Sequence, residues 1–201
     1  MSALPRVVEA TRERVSREFD SLGPEVCVAQ ISAEMTRNNP ELLDMARRCA
    51  RDVTPAGGDP ARIMIGFVMF YRLLLAQWET VQGAEAEGRA ARSGDDGDGT
   101  AGSGSRFGGA PWDAPDGPWL NPLPCVTPEV REALVQQIDD QGAEVFTVAA
   151  LEEIDFHNPQ LLNMAHGFAM RHGDYIGIMQ GFGLLYMALS LQADADKERM
   201  Q

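Results

Sequence analysis

From Leu42 onward the apolar residues Leu42, Met45, Ala46, Cys49, Ala50 and Val53 return at steps of three and four. That spacing gathers them on one side of a helix and predicts an amphipathic helix opening at Pro40. Upstream, Val8, Val15, Phe19 and Leu22 predict a helix near residues 7–22, and Cys27, Ile31 and Met35 another near 25–37. Downstream the pattern changes. Residues 60–80 contain ARIMIGFVMFYRLLLAQW, apolar on nearly every side. A helix without a polar face belongs at the centre of a bundle.

The same succession returns 119 positions later, from Arg12-Glu13 on Arg131-Glu132, through Gly23 on Gly142 and Glu34 on Glu153, to NNPELLDMA on HNPQLLNMA. After a four-residue deletion Asp59, Met64, Gly66-Phe67, Tyr71 and Gln77 meet Asp174, Met179, Gly181-Phe182, Tyr186 and Gln192. The order survives along roughly 65 residues per copy, as an internal duplication would leave it. The fold expected is all-α: a tandem duplication of a roughly four-helix unit, packed as one pseudo-twofold helical bundle. Its copies are residues 1–80 and 127–201. The spacing of Gly177 and Gly181, with Gly66 matching the second, suits two central helices in close backbone contact.

Within each copy the Asn-Pro phrase reads as a corner. Pro stops the preceding helix and suits the first turn of the next, so Asn39 and Asn158 are expected N-caps. Asp59 and Asp174 are expected to cap the fourth helix of each copy. Both fourth helices approach the length of a membrane span, but Gln180 interrupts one and Arg72 the other, so no membrane span is expected.

Between the copies, residues 81–126 read differently. The stretch GAEAEGRAARSGDDGDGTAGSGSRFGGA lacks the large apolar residues needed to offset its ordering entropy, so it is expected to be a flexible acidic linker. The strap PWDAPDGPWLNPLPC follows; Trp112 and Trp119 either pack on the helices or offer aromatic anchors to a partner.

The formal net charge is −13. An acidic chain disfavours nucleic acid and anionic membrane as partners, because both are bound through Lys and Arg. The charge is unequal: residues 1–80 carry ten Arg against eleven acids, and residues 127–201 four basic residues against twelve acids. The first copy keeps an Arg-rich face at Arg47, Arg48 and Arg51, so equivalent faces could do different work. Three cysteines without CxxC spacing, and a start with no signal-peptide pattern, point to the cytoplasm.

No phosphate loop, GxSxG elbow or dinucleotide fingerprint occurs. His157, His166 and His172 all lie in the second copy. His166, Met170 and His157 are the weak candidates for a metal or small-ligand site, without HExxH or ExxH spacing to support them. Glu34 and Glu153 could form a symmetric carboxylate pair, the third option, an enzyme. No cofactor is expected. The leading expectation is a non-enzymatic cytoplasmic module, an adaptor, assembly factor or regulatory subunit, that binds another protein through helical faces and the strap; a homo-oligomer is also compatible.

Overall fold

The computed structural model describes residues 7–54, 59–93 and 126–199. They are all-α: eight helices, α1 Glu9–Leu22, α2 Pro24–Asn38, α3 Pro40–Val53, α4 Pro60–Ser93, α5 Pro128–Gln141, α6 Ala143–His157, α7 Pro159–His172 and α8 Tyr175–Arg199. The first three helices of each half have the same lengths, 14, 15 and 14 residues.

The boundary expected at residue 80 does not match the helix. α4 continues through residues 81–93, which composition alone assigned to the linker. The Ala and Glu residues of this stretch are good helix formers, and an existing helix is cheaper to extend than to start. The remainder of the expected linker, with Trp112, Trp119 and Cys125, lies outside the described residues.

α4 and α8 pack against each other at the centre, and the other helices surround them. Met69, Phe70, Leu73, Phe182, Leu185 and Tyr186 are buried almost completely. Phe70 stacks on Phe182, with ring centroids 4.6 Å apart. Both helices are long and apolar enough to cross a membrane by length and composition, yet 78% and 83% of their apolar windows are buried inside the bundle. Burial of every side explains why neither has a polar face.

Two glycines set the distance between the central helices. A Cβ on Gly66 would stand 1.8 Å from the carbonyl oxygen of Ile178, and a Cβ on Gly181 would stand 1.8 Å from that of Ile63. Each helix therefore rests a backbone carbonyl where the other has no side chain, which only glycine permits.

Other contacts recur between the halves. The N–H of Val8 donates to Gln77 Oε1 at 2.9 Å, and that of Thr127 to Gln192 Oε1 at 2.8 Å. Gly23 and Gly142 close α1 and α5 with φ of 85° and 82°, a left-handed conformation that glycine adopts without strain. Arg72, inside the apolar run of α4, is held between Glu18 at 3.1 Å and Glu79 at 3.3 Å. Burial works against its charge, but those carboxylates outweigh it and its pKa rises.

Candidate functional site

The corner asparagines act differently from the sequence expectation. Asn39 and Asn158 stand at the N-cap positions of α3 and α7, but neither side chain makes the capping hydrogen bond. The backbone forms the corner instead: Asn39 N–H donates to Met35 O at 2.7 Å and Asn158 N–H to Ile154 O at 2.6 Å. Their Nδ2 atoms are buried without a partner. Asn158 and Ser190 stand beside the phenol of Tyr186. Asp59 and Asp174 do cap: Asp59 Oδ1 accepts from Ala61 N–H at 2.9 Å, and Asp174 Oδ1 from Gly177 N–H at 3.1 Å.

Glu34 and Glu153 each face the tyrosine of their own half. Burial, and then the nearby Glu34 carboxylate, push Tyr71 up to about 12. Tyr186 is raised by the same causes, with Glu153 as its neighbour. Each carboxylate thus stands beside a phenol. Glu153 also lies 3.1 Å from His157, one helical turn on.

The histidines and methionine of the second half do not converge. His166 meets the Tyr175 hydroxyl at 3.1 Å, while Met170 points outward with 73% of its surface exposed. His172 reaches Asp20 of α1 at 2.9 Å, a bond between halves, and its ring lies 4.3 Å from that of Phe168. Among the described residues no three His, Cys, Asp or Glu side chains are placed to share a metal ion. Cys27 and Cys49 are buried free thiols; burial pushes Cys49 up to about 11.

The three arginines of α3 are exposed. Arg47 lies 3.9 Å from Asp44. Arg48 borders an open cleft of about 630 Å³ between α3 and α5, where Arg131 bonds Glu41.

Sequence periodicity did not reveal the outer face of α6. The helix buries Phe146, Ala150 and Ile154. On its other side Val145 is 58% exposed, Val148 56% and Phe156 81%. With Ala149 these residues lie on one side of the helix, open to solvent; the exposed Glu152 stands between Ala149 and Phe156 within this stripe, and the exposed acids Glu144 and Asp155 border it. The same positions of α2 hold Val26, Ala29, Gln30 and Arg37. The available signal was that AEVFTVAALEEIDFH carries apolar residues on two sides although only one side can face a core.

Near the start of α6 the stripe meets a pocket of about 570 Å³ among the N-terminal ends of α4, α6 and α8. Val145 and Ile176 form an apolar part of its lining, Glu144, Asp59 and Asp174 an acidic part, and Gln180 belongs to the wall. Among the described residues no Lys or Arg lines it.

Compared with protein-family models, curated proteins and solved structures, the chain matches none. Its function is therefore argued from these surfaces alone.

Proposed function

We propose that the protein is a non-enzymatic interaction module that holds a basic amphipathic helix of another protein along the outer face of α6. The observation that carries this is the exposed stripe of Val145, Val148, Ala149 and Phe156. A stripe at helical spacing is what a partner helix covers when it binds through one apolar face. The acids along its borders favour a partner with Lys or Arg flanking its own apolar residues, and complementary charge also speeds encounter. α2 offers no comparable stripe, so one half carries the docking face. The reading takes the halves as copies of one ancestral unit about a pseudo-twofold axis, supported by the reciprocal glycine contacts and repeated caps. It places the module in the cytoplasm without nucleic acid or membrane as partner, in keeping with the net charge of −13 and the burial of both apolar helices.

A photo-crosslinking residue placed at Ala149, and in a second variant at Gln30, tests this in cells of the native host. Position 149 should capture one protein, joined through a helix rich in Lys or Arg, and position 30 should not. Equal capture from both positions, or capture of a second copy of this chain alone, would overturn the reading.

A further inference from the structure

We infer that the pocket among the starts of α4, α6 and α8 is an anchor site for a guanidinium group, supplied by an arginine of the docked partner. The inference rests on the docking reading, since α6 provides both the stripe and one wall of the pocket.

The first half shows what such a place holds when it is filled. Arg62 is the third residue after the cap Asp59. It reaches Glu25 at 3.6 Å and Asp59 at 3.9 Å. Glu25 is itself the second residue after the left-handed Gly23. In the second half, Glu144 is again second after a left-handed glycine, Gly142, and the third residue after the cap Asp174 is Gly177. The carboxylate is retained and the cation is missing. Glu144 is exposed and makes no hydrogen bond or ion pair among the described residues. Asp174 spends Oδ1 on its cap; its Oδ2 lies 3.2 Å from where a Cβ of Gly177 would stand, over the gap.

The chain cannot close this gap from position 177. A Cβ there would stand 2.8 Å from the Cβ of Arg62, so the two helices pass too closely for both positions to carry side chains. The cation must come from outside.

Gln180 gives an independent sign of a ligand. It is only 9% exposed, lines the pocket and has no hydrogen-bond partner among the described residues, whereas the matching position in the first half is the buried Ile65. The amide opens onto the pocket, and its carbonyl oxygen is an acceptor for an N–H donor. Of the three carboxylates Asp59 is already paired with Arg62, whereas Asp174 Oδ2 and Glu144 have no basic partner among the described residues, and these two select a cation. Two of the three helix ends are already satisfied by Asp59 and Asp174, which removes most of their pull on an anion. Guanidinium suits the site better than ammonium: its five donors form a rigid fork for acceptors on several sides, and it is weakly hydrated. The arginine stem would lie on Val145 and Ile176, apolar residues 58% and 66% exposed.

The test is an amide-resolved NMR titration of the full chain with N-acetyl-arginine amide, N-acetyl-lysine amide and the neutral isostere N-acetyl-citrulline amide. The arginine probe should give saturable shifts at Gly177, Gln180 and Glu144, with affinity at least about tenfold above citrulline, as removal of a charge-assisted contact implies. Glu144→Gln and Gln180→Ile should each weaken it, and Val148→Asp, outside the pocket, should not. Absence of saturation, equal response to citrulline or lysine, or shifts confined to the α3–α5 cleft would overturn the guanidinium site. Saturable arginine binding with no capture from position 149 would overturn the partner as its source while leaving the guanidinium preference intact. Capture from 149 without arginine binding would do the reverse.

Discussion

At the start of α4, Arg62 bridges to Glu25; at the start of α8, Gly177 stands in its place and Glu144 faces an open pocket. The helices around the two places are alike. The same caps begin α4 and α8, and the same glycine approach separates them. The difference extends outward: α2 shows solvent a mixed face, α6 an apolar stripe with acids along it. The central pair holds the frame through backbone and buried side chains, so residues that the frame does not use are where the halves part. A cation, a cavity and an exposed stripe differ, and all three changes lie around α6.

The largest effect should come from breaking what the halves share. Gly66→Ala and Gly181→Ala each drive a methyl into a backbone carbonyl. Each should cost about 3–5 kcal/mol by urea unfolding, at the upper end for an overpacked core. The two losses should be similar; a tolerant Gly66 beside an intolerant Gly181 would break the equivalence.

Next in size is an alkaline effect. Tyr71 rises from an ordinary value of 10.0 to about 12 on folding, because burial disfavours the phenolate. Its contribution is fully present below about pH 10 and is lost as pH rises towards 12, since the unfolded chain ionises first. The loss should approach about 2–3 kcal/mol over that window. Cys49, raised from 9.0 to about 11, adds a similar fall that begins one pH unit earlier. Tyr71→Phe should flatten the Tyr71 portion in pH-dependent denaturation; an unchanged slope would place the effect elsewhere.

Gln180→Ile gives the second half the residue that the first half has at Ile65. Because the amide opens onto the pocket, the exchange should leave stability within about 1 kcal/mol in thermal or chemical unfolding. A loss of about 2 kcal/mol or more would mean that Gln180 is hydrogen-bonded within the free protein.

The smallest predicted effect concerns the corners. Asn158→Ala should change stability by less than about 1 kcal/mol, because its side chain makes no capping bond and its Nδ2 is buried without a partner. Chemical unfolding of the variant measures it. A loss of about 2 kcal/mol would return Asn158 to the capping role.

The helices were legible because their apolar residues fall at regular steps and because glycine, proline and aspartate stand at their ends. The doubled pattern in sequence also foretold eight segments and the two central helices. The corner asparagines do not cap as their position suggests, because the backbone N–H of each closes the preceding helix while its side-chain Nδ2 stays buried without a partner. The pocket was hidden for another reason. It depends on what is missing at Gly177, and a glycine in a close-packed helix reads first as a packing residue. The α6 stripe could have been found from its two apolar sides, but exposure follows from which side α8 covers.

The glycine crossing also bears on how the protein is made. A ribosome releases α4 while α8 is still to be synthesised, roughly a hundred residues or about 5–20 s later at ordinary elongation rates. During that interval the surface of α4 that Gly66 presents to α8 has no cover. The fold thus carries a period of vulnerability during synthesis, set by the distance along the chain between its two central helices and ended only when the last one arrives.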